Sequence, residues 1–138
     1  MKGQCLCKTI QFEFEPHDQE ALNCYCSICR QSHGADYATQ VPSSKASLKF
    51  ISGEDSLSEY QSSKFGIRAF CKHCGSRLMN YAKGDVSKYL SVSLSCIVEP
   101  HEIKPIANVQ VASKAGWVEP RSDVESFDVF PDYISKYM

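Results

Sequence analysis

The chain has 138 residues, 43% of them hydrophobic and 22% charged, with a formal net charge of −1. That length and balance predict one folded domain over residues 1–138 with a core of its own, and they argue against disorder. The near-neutral charge gives no global reason to expect nucleic acid or an anionic membrane as partner.

The N-terminus, "MKGQCLCKTIQFEFEP", lacks the apolar segment of a secretory signal, and no apolar run approaches the roughly 18 residues of a membrane span. A reducing, cytoplasmic location is expected, where eight cysteines read as metal ligands or reactive groups before disulfides. Strict alternation over Thr9–Glu15 puts Ile10, Phe12 and Phe14 on one face of a half-buried strand. A short helix is expected over Ser27–Ser32. "SLKFISG" (47–53) and "SLSEYQS" (56–62) flank Gly53-Glu54-Asp55 and predict a hairpin. "GIRAFC" (66–71), "RLMNYA" (77–82) and "KYLSVSLSCIV" (88–98) are further strands, with turns at Gly66, Gly75 and "KGD" (83–85). A second short helix is expected after Pro120, and the aromatic tail from Gly116 onward should pack on the body. The class is a mainly antiparallel all-β domain.

The cysteines fall as Cys5-x-Cys7, Cys24-x-Cys26-x-x-Cys29, Cys71-x-x-Cys74 and a lone Cys96. "CKHCGS" is a zinc-knuckle signal: a tight turn aims two thiolates at one ion, and Gly75 lets the backbone curl beneath them. Zinc takes soft thiolates in a tetrahedron, so this pair needs a second pair. Cys5 and Cys7 supply it if residues 5–7 are extended, because side chains two apart then point the same way. The loop of Cys24, Cys26 and Cys29 offers three thiolates to a second ion. Its fourth ligand is either Cys96, closing a structural site, or something from outside the chain. Cys96 also shares a strand face with Leu90, Val92 and Leu94, where a core role explains it without metal.

The histidines add less. His73 lies between two ligands and is expected to face solvent; His33, four residues after Cys29, is a candidate beside the second site. His17 and His101 read as surface turn and loop. No Ser–His–Asp arrangement and no phosphate-cradling glycine loop is present.

Five motifs between Gly3 and Trp117, "GQCLC", "CYCSICR", "SGEDSLSEYQSS", "RAFCKHCGS" and "SKAGW", resemble in sequence and order the glutathione-dependent formaldehyde-activating enzyme family, also called the centromere protein V or Gfa domain. The resemblance implies a β-tent-like all-β fold of antiparallel sheets stapled by zinc, two Zn²⁺ per chain. Carried over by motif, Cys5, Cys7, Cys71 and Cys74 hold a structural zinc, while Cys24, Cys26 and Cys29 hold a catalytic zinc with a free position. It further implies a carbon–sulfur lyase that joins the glutathione thiol to formaldehyde as S-(hydroxymethyl)glutathione, or cleaves that adduct. The partners are then a small thiol such as glutathione and a small aldehyde.

A zinc ion with three thiolates is already net anionic, and a fourth thiolate needs a cation nearby. Arg30, next to Cys29, is the best placed in sequence and is assigned to the substrate side. Lys64, Arg68 and Lys114 are weaker candidates for substrate carboxylates. The competing reading is a non-catalytic binding module with two structural zincs. Chromatin binding lacks a basic patch, and a methionine sulfoxide reductase needs two knuckle-type CxxC pairs where this chain has one. Two departures from the family pattern stand out: Lys8 where CxCG is usual, and Asn108-Val109 where a His–Ile pair is frequent.

Overall fold

A computed structural model describes residues 1–84 and 88–137 of the chain. Ile10, Phe12 and Phe14, the apolar face of the first expected strand, are fully buried. Their strand, β2 (Gln11–Glu13), lies between β1 (Lys2–Gln4) and β5 (Lys49–Ser52) in a three-stranded antiparallel sheet. Gly3 pairs with Phe12 across the β1–β2 ladder, and a Cβ at Gly3 would sit 2.4 Å from the Phe12 ring. Glycine is required there so that the ring can lie flat under the neighbouring backbone.

The larger sheet holds β3 (Glu20–Cys24), β4 (Ala38–Ser44), β6 (Leu57–Gln61), β7 (Gly66–Cys71), β8 (Arg77–Ala82), β9 (Tyr89–Ser93), β10 (Lys104–Val109) and β11 (Glu125–Ser126). Its order is β11-β10-β3-β4-β9-β8-β7-β6, antiparallel except that β10 runs parallel to both β3 and β11. Val41, Leu78, Met79, Leu90 and Val92 from this sheet share one core with Ile10, Phe12 and Phe14 from the smaller one. Burying each of these side chains contributes about 1.5–3 kcal/mol, which holds the two sheets face to face. The architecture is thus the mostly-β one expected.

Four expectations are corrected. The two strands flanking Gly53 do not form a hairpin: β5 pairs with β2, and β6 pairs with β7. The chain changes sheets at Gly53, whose φ of 72° precedes a 3-10 turn over Glu54–Ser56. A Cβ at Gly53 would lie 2.2 Å from the Thr9 carbonyl oxygen. Alternation had reported which face each strand buries, and that property is the same for a hairpin and for a corner between sheets. The strand expected over 88–98 stops at Ser93 and passes into a 3-10 turn, Leu94–Cys96, although Cys96 still reaches the core. Residues 5–9 form a turn instead of an extended segment. After Pro120 comes β11, and helical structure appears only as a 3-10 turn over Asp132–Tyr137. Of the "KGD" turn, Gly84 has the positive φ of 65° expected, and Asp85 lies outside the described residues.

The helix α1 (Ser27–His33) follows β3 after two residues. Cys26 caps its start by accepting from the Cys29 N–H at 3.3 Å, and Gly34, at φ 60°, ends it. Arg30, His33 and the Gly34 cap crowd the last turn, where positive charge suits the helix dipole. The tail packs down in part: Ile134 and Tyr137 are buried against Leu22, Ala107 and Val109 of β3 and β10, whereas Trp117, Phe130 and Tyr133 stay exposed. Among the described residues no helix is long and apolar enough to cross a membrane.

Candidate metal centres and the adjoining cavity

The sulfurs of Cys5, Cys7, Cys71 and Cys74 all lie within 4.8 Å of one another. Cys5–Cys7 and Cys7–Cys71 are 3.5 and 3.8 Å apart. A tetrahedron with zinc–sulfur bonds of about 2.3 Å has edges of about 3.8 Å, so the donor set fits a zinc ion. The knuckle is built as its sequence implies: Gly75 has φ 76°, and its N–H donates to the Cys71 carbonyl at 2.8 Å. The first pair converges differently. A turn closed by the Lys8 N–H on the Cys5 carbonyl folds Cys7 back toward Cys5, with Lys8 itself in the left-handed region at φ 65°. That is the position where the family carries glycine. The Ser76 hydroxyl ties the two halves, accepting from the Leu6 N–H at 2.8 Å and lying 3.2 Å from the Cys74 sulfur. The bond from Ser76 draws the Cys74 thiol down to about 5, whereas burial lifts Cys5 to about 11.

The second group is Cys24 at the end of β3, Cys26 at the cap and Cys29 in the first turn of α1, again within 4.8 Å. Cys26 is pulled down to about 2 because Cys24 and Cys29 donate to its sulfur, and Cys24 is pushed up by the same bond. Three thiolates at this separation need a divalent cation between them, and their softness suits zinc. Among the described residues no further Cys, His, Asp or Glu joins this group. Cys96 is occupied elsewhere, donating to the Arg77 carbonyl at 3.2 Å inside the core.

All three sulfurs border a cavity of about 510 Å³, a size ordinary for small-molecule sites. Cys5, Cys7, Cys71 and Cys74 are not among its lining residues. The cation in its wall is Arg68, which donates from Nη1 to the Cys29 sulfur at 3.3 Å and from Nε to Ser62 at 3.2 Å. Arg30 lies elsewhere. Its guanidinium donates to the carbonyls of Tyr25 (3.2 Å) and Ser113 (3.0 Å), pinning α1 to the loop after β10, and it is not part of the cavity wall. Lys64 and Lys114 are not in the wall either; Lys64 sits over the Phe65 ring.

A directed chain of hydrogen bonds forms the cavity's polar floor. Arg77 donates to Asn80 (2.8 Å), Asn80 to Gln40 (3.2 Å), and the Gln40 amide reaches His33 Nε2 at 3.1 Å, while Ser91 also donates to Gln40. His33 must be neutral at Nε2 to accept, and burial followed by the charges of Arg77 and Arg68 draws its pKa down to about 4. His33 therefore stands behind Gln40. His73 and His17 are exposed as expected, the first within 3.1 Å of the Ser56 hydroxyl and the second stacked on Tyr137. Tyr89, not singled out from sequence, also lines the cavity; burial raises its phenol, and Cys24 and Cys29 push the same way. Asn108 explains its own departure from the family pattern. It is fully buried and links strands sideways, donating to Ser126 and to the Arg121 carbonyl and accepting from Asn23.

A Schizosaccharomyces pombe protein named as an uncharacterized lyase is 32% identical over 81 residues, 56% of this chain; the match spans about half (54%) of that relative's length. A Halomonas elongata protein, provisionally named a glutathione-dependent formaldehyde-activating enzyme, is 29% identical over 96% of this chain and 89% of its own. In fold, a Rhodobacter sphaeroides protein of known crystal structure superposes with a TM-score of 0.62 at 22% identity, covering 92% of this chain and 100% of that one. The family profile of the glutathione-dependent formaldehyde-activating enzymes matches residues 1–113, which contain both cysteine groups. The chain belongs to the glutathione-dependent formaldehyde-activating enzyme family.

Proposed function

We propose that this chain acts, as one domain in a reducing cytoplasm, as a zinc-dependent carbon–sulfur lyase that makes or cleaves an adduct of a thiol with an aldehyde. Glutathione and formaldehyde are the reference pair that the family name supplies. In this reading Cys5, Cys7, Cys71 and Cys74 hold a structural zinc, and Cys24, Cys26 and Cys29 hold a catalytic one. The observation that carries the reading is an asymmetry. Four sulfurs surround one point away from the cavity, whereas three sulfurs, backed by Arg68, face about 510 Å³ of accessible space.

When bound at the three cysteines, zinc supplies the charge that stabilises a substrate thiolate. Ionisation alone achieves little. A free thiol with pKa near 8.5 is about 3% thiolate at neutral pH, so full ionisation gains roughly 30-fold. Lowering its pKa by about three units forfeits roughly 20-fold in nucleophilicity. Positioning must supply the acceleration, and the residues of the cavity wall do that. Arg68 offsets the excess negative charge of clustered thiolates. Carbon–sulfur bond formation moves the carbonyl π pair to oxygen, which takes a proton; the thiol gives one up. Tyr89, which lines the cavity with Cys24 and Cys29, is assigned to donate the proton that the oxygen takes; the thiol's proton passes to solvent when the thiolate forms, and solvent later returns one to the phenolate.

The test is two-dimensional exchange NMR on glutathione and formaldehyde with the zinc-loaded protein. Faster exchange with S-(hydroxymethyl)glutathione than in buffer, abolished by Cys26→Ser, is expected. Exchange at the buffer rate with this pair and with longer thiols and aldehydes alike would leave the binding-module reading in its place.

A further inference from the structure

Resting on the lyase reading, we infer that the preferred substrate carries an uncharged, largely apolar group of about six or more carbons on one side of its carbon–sulfur bond. A formaldehyde adduct of a charged thiol is not the best occupant of this site.

Three features of the cavity lead here. Besides the polar floor of Gln40, Asn80 and Ser91, its lining includes the apolar side chains of Leu22, Phe65, Ile67, Val109, Phe130 and Ile134. Among the described residues Arg68 is the one formally charged side chain, apart from the cysteines, that borders it, and Arg68 is already bonded to Cys29 and Ser62. Among the described residues no Lys, Asp or Glu lines it to meet the carboxylates and ammonium of a glutathione body. Burying those groups unpaired is strongly unfavourable, so the tripeptide, if present, lies outside and something apolar lies within. Formaldehyde adds a single carbon and fills almost none of the space.

The third feature is where the wall comes from. Phe130, Ile134 and Tyr137 belong to the tail, beyond residues 1–113 that match the family profile. That tail is fastened over β3: Tyr137 hydrogen-bonds Asp18 and Glu20, and Lys136 pairs with the same two carboxylates at 3.2 and 3.4 Å. The metal-binding frame lies within the family match, whereas part of the apolar wall, Phe130, Ile134 and Tyr137, is added by the segment that follows it. Substrate choice is placed in that wall.

The chemistry leaves two sources for the apolar group, an aldehyde with an apolar chain or an apolar thiol. Stable thioethers separate them by isothermal calorimetry on the zinc-loaded protein. S-hexylglutathione should bind at least about thirty-fold tighter than S-methylglutathione, the gain from fully burying two to three of its additional methylenes at about four-fold each. Binding should carry a negative heat-capacity change. Phe65→Ser and Phe130→Ser, both substitutions at half-exposed positions that leave the core intact, should shrink that ratio several-fold. Hexyl methyl sulfide assigns the source: affinity equal to S-hexylglutathione indicates an apolar thiol, weaker affinity an apolar aldehyde joined to glutathione. Equal affinity for the hexyl and methyl compounds overturns the inference while leaving the exchange experiment, and hence the lyase reading, untouched. Failure of exchange with every thiol–aldehyde pair would overturn the lyase reading independently of these affinities.

Discussion

Lys8 occupies a backbone conformation that suits glycine, and the sequence marks it as the residue that replaces one. At φ 65° a side chain costs about 1–2 kcal/mol, part of which glycine's greater unfolded-state freedom returns. Lys8→Gly should therefore raise stability by about 1 kcal/mol in urea unfolding of the zinc-loaded protein, with zinc content unchanged. Arg30 and Arg68 show the reverse relation between sequence and role. Adjacency to Cys29 made Arg30 the natural candidate, but a helix turns consecutive side chains about 100° apart, and Arg30 faces two backbone carbonyls. Arg68 arrives at Cys29 from another strand, 39 residues away in sequence, and no local pattern announces it. His33 gives a pH signature. Its folded pKa, about 4, is below its ordinary 6.5, so the unfolded chain binds a proton that the folded chain refuses between those values. The stability it contributes is complete above about pH 6.5 and is lost as pH falls toward about 4. His33→Gln should be relatively more stable against wild type at pH 5 than at pH 7.5; an unchanged gap would contradict the buried neutral histidine.

Between elements, what could be read depended on whether a strand has one buried face or two. Alternation located β2, β6, β7 and β8, each with a more exposed side, and it also found β9, which keeps a run of Leu90 and Val92 although both its faces are buried. It missed β3, β4 and β10, whose residues are buried on both faces and include Asn, Gln, Ser and Pro. Parallel pairing of β10 with β3 covers them further, and such strands lose their period-two signal. Pro42 in β4 would ordinarily argue against a central strand, yet β3 pairs only with residues 38–40, so no ladder bond is asked of it there. Pairing partners were the other blind spot, as the sheet change at Gly53 shows. Gly53→Ala must strain a left-handed residue and displace the Thr9 carbonyl, and should destabilise by at least about 2 kcal/mol in urea unfolding. Alanine at the exposed Gly116, where an added Cβ meets nothing within 4 Å, should change stability by less than about 1 kcal/mol.

Across the whole molecule, the cysteine spacing carried more than the strand pattern did. Clusters separated by more than 60 residues were brought to one point because thiolate geometry limits which partition of the chain can satisfy tetrahedral sites. The cavity, in contrast, is assembled from β3, β4, β7, β8, β9, β10 and the tail, and no single stretch of sequence encodes it. The central claim is that the group of Cys24, Cys26 and Cys29 binds its own ion without help from Cys96. Zinc content by mass spectrometry, on wild type, Cys26→Ser and Cys96→Ser purified alike, tests it most directly. The account predicts about two equivalents for wild type and for Cys96→Ser, and about one for Cys26→Ser. Loss of an equivalent in Cys96→Ser, or retention of both in Cys26→Ser, would contradict it.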